Sequence, residues 1–345
     1  MLRIVDANLN RVGEGLRVLE DISRFALNNA ELSEHLKSLR HDLQPKDSGL
    51  YADLVASREA GSDVGAFLDV EEEGKRANLP SLVGANAHRV QQSLRVLEEV
   101  CKAPDARCGL DWAAIKRARF DLYEIEKSML LMLLRSDRVR KLKGVYLILD
   151  AEALAGRNAV EVARHVIAEG VEVIQLRDKI HSKGEVLQTA RELRSICNES
   201  GTLFIVNDHL DIALACDADG LHVGQEDLPV AETRRLLPQD KLVGCSTARV
   251  EEAIEAQAQG ADYVAVGSIY PTSSKERTCP AGLETLRAVR EAVTLPIVAI
   301  GGINEGNVAE VMNAGADAVA VISAVLGTDD PAAAVRRLIS RIEGG

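Results

Sequence analysis

The chain has 345 residues, with 41 Lys and Arg against 53 Asp and Glu, a net charge of −12 at pH 7. That balance argues against a general nucleic-acid or membrane-surface binder, which needs a basic face. It leaves room for anionic substrates, because a local cluster of cations and helix N-termini can hold phosphate on an acidic protein. Hydrophobic residues at 46% exclude a disordered chain, and aromatics at 3% remove base-stacking platforms. The length predicts two domains. Six cysteines, Cys101, Cys108, Cys197, Cys216, Cys245 and Cys279, form no Cys-x-x-Cys pair, so no zinc site is expected. Scattered thiols, a plain N-terminus and the lack of an apolar run near the ~20 residues needed to span a bilayer predict a cytoplasmic protein with no membrane partner.

The first 138 residues read as an all-helical domain. Leu9, Val12, Leu16, Leu19 and Ile22 recur at spacings of three and four, the pattern of an amphipathic helix, with Asp6 as its expected N-cap. Further helices are predicted over 31–42, 83–101 and 112–134, and a loop over 57–78. The domain repeats itself. Ala7-Asn8-Leu9-Asn10-Arg11-Val12 returns as Ala85-Asn86-Ala87-His88-Arg89-Val90, and Leu16-Arg17-Val18-Leu19-Glu20 as Leu94-Arg95-Val96-Leu97-Glu98. One reading is a duplicated hairpin whose shared residues only pack. The other starts from a helical wheel, which puts Asn8, Arg11 and their copies at the margin of the apolar stripe. A partly buried Arg needs an anionic or hydrogen-bonding partner. Glu20 and Glu98 are candidates, and so is a phosphate framed by the twinned Asn/Arg pairs.

A basic linker is expected over 139–143. The stretch 144–345 then alternates short apolar strands with amphipathic helices. Strands are predicted over 145–149, 171–176, 203–207, 220–223, 242–245, 263–267, 297–300 and 318–322, and helices include 160–169, 183–199 and 250–259. Eight such strands in about 200 residues make an α/β fold of the (β/α)8 TIM-barrel type. The first strand ends without a G-x-G-x-x-G turn, which argues against a dinucleotide-binding sheet.

A barrel of this kind places its site at the C-terminal ends of its strands. Strand 2 ends in Gln175-Leu176-Arg177-Asp178-Lys179, where alternation puts Gln175, Arg177 and Lys179 on one face. Strand 3 ends in Asn207-Asp208, and strand 4 runs through Gly224-Gln225-Glu226 to Asp227. Two carboxylates at adjacent strand ends, beside cations suited to phosphate, predict a Mg2+ site. Strand 5 ends in Cys245-Ser246-Thr247. After strand 6, Ser268-Ile269-Tyr270-Pro271-Thr272-Ser273-Ser274-Lys275 reads as a hydroxyl-rich phosphate loop. Gly301-Gly302 after strand 7 and Ile322-Ser323 after strand 8 occupy the usual phosphate position of the fold. His181, His209 and His222 are expected to be structural or rim residues. The constellation predicts a diphosphate-and-metal pocket beside a monophosphate pocket, and so displacement of pyrophosphate by a phosphorylated nucleophile.

Through Gln175–Lys179, Val206-Asn207-Asp208, His222–Asp227, Gly267–Lys275, Ala299–Ile303 and Val321–Ala324, the C-terminal part resembles thiamine-phosphate synthase. The resemblance implies joining of hydroxymethylpyrimidine diphosphate to thiazole phosphate, giving thiamine phosphate and pyrophosphate. It implies Mg2+ on Asp208 and Asp227. It implies Gln175, Leu176, Arg177, Asp178, Lys179, Asn207, Ser246 and Lys275 on the pyrimidine diphosphate, with Arg177, Lys179, Ser246 and Lys275 taking part in catalysis. Thr272, Ser273, Ser274, Gly302, Ile322 and Ser323 are implied on the thiazole phosphate. Ser274 stands where many members carry Thr. A thiazole tautomerase shares the barrel but needs no diphosphate site; the intact Arg177, Lys179, Asp208, Asp227 and Lys275 favour the synthase. Through Asp6–Asp21, 39–42 and 86–99 the N-terminal part resembles a helical domain fused ahead of this synthase and associated with phosphorylating hydroxymethylpyrimidine phosphate. That would make ATP a further partner, although the sequence holds no G-x-x-x-x-G-K-[ST]. The rival reading is a scaffold for a homo-oligomer.

Overall fold

A computed structural model describes residues 1–58, 77–103, 109–271 and 281–344. Thr272, Ser273, Ser274 and Lys275, most of the loop expected over 57–78, Cys108 and Cys279 lie outside the described residues. The chain divides into two units, Met1–Leu134 and Arg135–Gly345.

The first unit is helical: α1 (Leu2–Phe25), α2 (Ala30–Asp42), α3 (Ser48–Ala56), α4 (Leu79–Lys102) and the part of α5 (Trp112–Val139) that precedes Arg135. The apolar stripe of α1 is buried as its periodicity demands, with Val12, Leu16 and Leu19 fully covered. The copies Val90, Leu94 and Leu97 on α4 are covered in the same way. The two duplicated helices meet at Gly15, where a Cβ would come within 2.5 Å of Val90 Cγ2 and 3.3 Å of the Asn86 carbonyl. The duplication extends to the second helix of each hairpin. Arg40 of α2 pairs with Glu20 at 3.1 Å, and Arg119 of α5 pairs with Glu98 at 3.3 Å.

Three expectations change here. Asp6 is no N-cap: α1 begins at Leu2, and the Asp6 carboxylate accepts two N–H groups of Arg58 at 2.8 and 2.9 Å. Helix α4 begins four residues early, because Asn78 and Ser81 form a reciprocal capping box and Pro80 suits its first turn. Arg11 and Arg89 are exposed, so the burial argument for a twinned anion site fails. Asn8 and Asn86 donate to the carbonyls of Ile4 and Leu82, one turn back on their own helices.

The second unit contains β1 (Gly144–Asp150), α6 (Ala159–Ala168), β2 (Val173–Arg177), α7 (Lys183–Ser200), β3 (Leu203–Asn207), α8 (Leu210–Ala215) and β4 (Gly220–Val223). It continues with α9 (Val230–Leu236), β5 (Leu242–Thr247), α10 (Val250–Ala258), β6 (Tyr263–Gly267), α11 (Gly282–Ala292), β7 (Ile297–Ile300), α12 (Val308–Asn313), β8 (Ala318–Val321), α13 (Ser323–Leu326) and α14 (Pro331–Glu343). The eight strands close in sequence order into a parallel barrel, as the alternating pattern predicts. Successive side chains point to opposite faces of a strand. Val145, Leu147 and Leu149 therefore join the core shared with the helices, whereas Tyr146 and Ile148 join a separate core inside the barrel.

The N-terminal rim of the barrel carries a repeat that the sequence reading did not detect. Asp219, Asp262 and Asp317 immediately precede β4, β6 and β8, each after an alanine. Each backbone N–H donates to the preceding strand in the chain, at Phe204, Val243 and Ile297, and each carboxylate accepts the N–H of the same residue at 2.8–3.0 Å. Each also binds an arginine of the helix that leads into that preceding strand, Arg194 of α7, Arg234 of α9 or Arg290 of α11, at 2.9–3.1 Å. Arg138 adds to Asp219 at 3.1 Å and Arg135 to Asp262 at 3.5 Å, while Leu142 enters the inner core. The residues expected as the end of the helical domain and a solvated linker thus hold barrel carboxylates and apolar contacts, and the border between units falls before Arg135.

The three clamps differ in burial, so they should differ in worth. Asp262→Ala strands Arg234 and the Val243 N–H in a buried setting and should cost about 3–5 kcal/mol in urea unfolding. Asp317→Ala, whose ion pair with Arg290 is partly solvated, should cost about 1 kcal/mol.

Candidate active site

The C-terminal ends of β1 to β5 bring most of the expected residues together. Gln175 and Arg177 share the inward face of β2, whereas the Leu176 side chain packs in the outer core against the helices. Any binding role of Leu176 therefore falls to its backbone. Arg177 is in register with Asp150 of β1 and donates to its buried carboxylate. Asp178 turns back on its own loop, accepting the N–H groups of Ile180 and His181 and the His181 ring, and these bonds hold its carboxyl below the usual range against the opposing effect of burial.

Lys179 lies 3.3 Å from Asp208 Oδ2. Asp208 follows β3 with φ +60, a left-handed conformation that Asp tolerates better than most residues. Its N–H donates to the His222 carbonyl on β4 at 2.9 Å, which ties it to the neighbouring strand end. Asp227 reaches the same place by folding back: its Oδ2 accepts the Gly224 N–H at 2.8 Å. A Cβ on Gly224 would sit 2.9 Å from that oxygen. Burial first, and the facing Asp227 carboxylate second, push the Asp208 carboxyl above its ordinary range, while Lys179 pulls it back. Two carboxylates held against each other are what a hard divalent cation relieves. Among the described residues no cluster of three or more His, Cys, Asp and Glu could form an all-protein metal cage. Two carboxylates fit Mg2+, which keeps waters and takes substrate phosphates for its other positions.

Inside the barrel a chain of hydrogen bonds runs beneath these groups. Gln175 Nε2 meets Tyr146 Oη at 2.7 Å, Tyr146 Oη meets Tyr263 Oη at 3.0 Å, and Tyr263 Oη meets His222 Nδ1 at 3.1 Å. His222 Nε2 then meets Ser246 Oγ at 2.9 Å. All five residues occupy inward positions on β1, β2, β4, β5 and β6. Gly244 on β5 makes the space, because any Cβ there would overlap the Tyr263 ring. His222 is thus neither a rim residue nor an isolated core histidine. Sequence reasoning missed Tyr146 and Tyr263 altogether. The available signal was that two of only five tyrosines begin or centre on inward strand positions.

At the other side of the barrel mouth Gly301 and Gly302 take φ of +101 and +67. A Cβ on Gly302 would lie 2.7 Å from Tyr270 Cβ and 2.9 Å from the Pro271 carbonyl, so the turn after β7 packs directly on the segment after β6. Tyr270 N donates to the Gly301 carbonyl at 3.0 Å. Ser323 opens α13 at the end of β8, and Arg157 donates to the carbonyls of Leu326 and Thr328 at the far end of that turn.

Comparison with known proteins places both units. A family model described as thiamine monophosphate synthase matches residues 145–325, and one described as the ThiD2 family matches 3–128. A thiamine-phosphate synthase of Synechocystis sp. is 41% identical over 342 residues, 99% of this chain and 96% of that protein. Another, of Thermosynechococcus vestitus, is 39% identical over 345 residues, 99% and 95% of the two chains. The solved structure of thiamine phosphate pyrophosphorylase from Pyrococcus furiosus aligns with a TM-score of 0.55 and 39% identity, covering 60% of this chain and 98% of that one.

The raised Asp208 carboxyl sets a sign for stability. The folded metal-free chain binds more protons than the unfolded chain between the ordinary carboxylate range and the raised value, so stability falls as pH rises through that window. Asp208→Asn should therefore raise the Tm of the metal-free protein at pH 7. The gain should vanish below about pH 4, where the ordinary carboxyl is also protonated. Thermal unfolding in chelator at the two pH values checks this.

Proposed function

The chain belongs to the thiamine-phosphate synthase family, and from that premise we propose that its barrel joins hydroxymethylpyrimidine diphosphate to thiazole phosphate, yielding thiamine phosphate and pyrophosphate. The observation that carries the reading is the Asp208 and Asp227 pair with Lys179 beside it, a site suited to a metal-bound diphosphate. Gln175, Arg177, Lys179, Asn207 and Ser246 hold the pyrimidine diphosphate on this reading. Asp150 keeps the Arg177 guanidinium at the strand end, with further N–H groups to offer a phosphate. Gly302, Ile322 and Ser323 hold the thiazole phosphate. Thr272, Ser273, Ser274 and Lys275 join the two phosphate sites by family resemblance.

Asp208 and Asp227 would hold Mg2+, which when bound supplies Lewis-acid charge to the leaving diphosphate. In the reaction the thiazole nitrogen forms a bond to the pyrimidine methylene carbon, and the bond from that carbon to the diphosphate oxygen breaks. The electron pair leaves with pyrophosphate, and Arg177 and Lys179 at the end of β2 stabilise the charge that accumulates there. A thiazole tautomerase has no leaving diphosphate to serve, and the paired carboxylates favour the synthase over it.

For the first unit we propose phosphorylation of the pyrimidine monophosphate by ATP, supported by the family match over 3–128. Arg11 and Arg89 no longer have a burial argument behind them, and the buried polar pairings of the repeat are Glu20 with Arg40 and, in the second copy, Glu98 with Arg119. No described helix is long and apolar enough to cross a membrane, and the thiols of Cys197, Cys216 and Cys245 are free. We place the enzyme in the cytoplasm, where thiols stay reduced.

The full chain with Mg2+ and both phosphorylated substrates should release thiamine phosphate and pyrophosphate in equal amounts. Asp227→Asn should lower kcat by more than about 100-fold, beyond the loss of an outer-shell metal partner, while leaving thiazole phosphate binding intact. Near-normal turnover by that variant would reject the metal assignment. With ATP and the pyrimidine monophosphate in place of the diphosphate, thiamine phosphate should still form; no product would leave the first unit a scaffold.

A further inference from the structure

The five-residue chain inside the barrel has a direction. An amide nitrogen has no lone pair to accept with, so where Gln175 Nε2 meets Tyr146, the tyrosine oxygen must accept. The single phenolic proton of Tyr146 then goes to Tyr263 Oη, and that of Tyr263 goes to His222 Nδ1. A ring nitrogen that accepts is bare, so the proton of a neutral His222 sits on Nε2 and is donated to Ser246 Oγ. With its lone pair engaged, Ser246 still has its own proton to give. Burial holds both phenols protonated well above neutral pH, so neither link loses its proton under working conditions.

We infer that Gln175, through Tyr146, Tyr263 and His222, sets the polarity of this chain so that Ser246 presents a donor and Gln175 Oε1 an acceptor to the substrate. The inference rests on the barrel holding a pyrimidine diphosphate. A diphosphate at neutral pH offers oxygens with almost no protons, so a serine can bind it only by donating. In the opposite polarity Ser246 would donate to His222 Nε2 and meet the diphosphate with lone pairs, which repels. At the other end, no donor among the described residues meets Gln175 Oε1. An acceptor fixed there selects a heterocycle that carries an exocyclic amino group over one that carries a carbonyl. Tyr146, Tyr263 and His222 are positioning residues in this scheme, acting through the two ends. The polar interior of the barrel becomes one device, with its direction fixed at one strand and read out three strands away.

The test has two readouts. In the full chain labelled with 15N-histidine at pH 8, the ring signals lost in His222→Gln should report a neutral ring protonated at Nε2 and bare at Nδ1. A proton on Nδ1, or on both nitrogens, overturns the assigned polarity. This measurement needs no turnover, so a correct tautomer in a chain that fails to condense its substrates would overturn the proposed reaction and not the relay. The second readout is a double-mutant cycle with isosteric changes that preserve the fold. Ser246→Ala and Tyr263→Phe should each raise KM for the pyrimidine diphosphate by about tenfold, the worth of one hydrogen bond to a charged group, with KM for thiazole phosphate unchanged. The double variant should be no worse than Ser246→Ala alone, because Tyr263 acts only through Ser246. Additive losses would overturn the relay.

Discussion

A closed parallel barrel gives every strand residue one of two addresses, the axis or the helices, and that alternation decides which side chains of this protein can act. Hydrophobic residues fill the outer address from β1 to β8, with Thr247 at the end of β5 as the exception, and the energy of burying them there is the main support of the second unit. The inner address is smaller and is divided along the axis. Its lower part is apolar, with Val173, Leu203, Leu242 and Ala318. Its upper part must accommodate Gln175, Tyr146, Tyr263 and His222. Buried polar groups are costly unless bonded, and these four have satisfied one another and Ser246 in a single chain. Gln175 and Ser246, at the ends of that chain, are therefore held by a network that is itself part of the core.

Stability and chemistry occupy opposite ends of the strands. The N-terminal ends carry the three repeated aspartate clamps, each joining two strands and one helix through a single carboxylate. The C-terminal ends carry Asp150 and Asp208, whose partners Arg177 and Lys179 are cations that could instead serve a ligand, and Asp227, which faces Asp208. Asp262 has two arginines and a backbone N–H close to it, and its role ends with them. Asp208 has one exposed lysine and a facing carboxylate, an arrangement that is poor for stability. Unfavourable charge placed at a strand end, in a chain able to build the favourable version three times at the other end, points to a ligand.

Much of this was legible in the sequence because period and spacing survive folding. The eight strands, their order and the long helices follow from apolar periodicity; their ends shift both ways, as when β2 starts two residues late and α4 four residues early, and the short helix α3 was not read. Gln175, Lys179, Asp208, Asp227 and Ser246 were readable because strand alternation and strand ends are both visible in one dimension. Leu176 was placed by its neighbours and not by its own parity, which sends it outward. Arg11 and Arg89 show the limit of a helical wheel, which locates a stripe but not its margin to within one side chain. The clamps at Asp219, Asp262 and Asp317 and the relay through His222 were hidden for a different reason. Their hydrogen-bonded members are separated by 15 to 117 residues, and only barrel closure brings them together.

The central claim is that the residues converging above β2, β3, β4 and β5 form a single site for a metal-bound diphosphate. A crystal structure of the full chain with Mg2+ and inorganic pyrophosphate tests it most directly. The account predicts the metal between the carboxylates of Asp208 and Asp227, with Lys179 turned from Asp208 toward the diphosphate and Ser246 Oγ within hydrogen-bonding distance of it. Pyrophosphate bound elsewhere, or Asp208 and Asp227 still facing each other without a metal at saturating Mg2+, would contradict it.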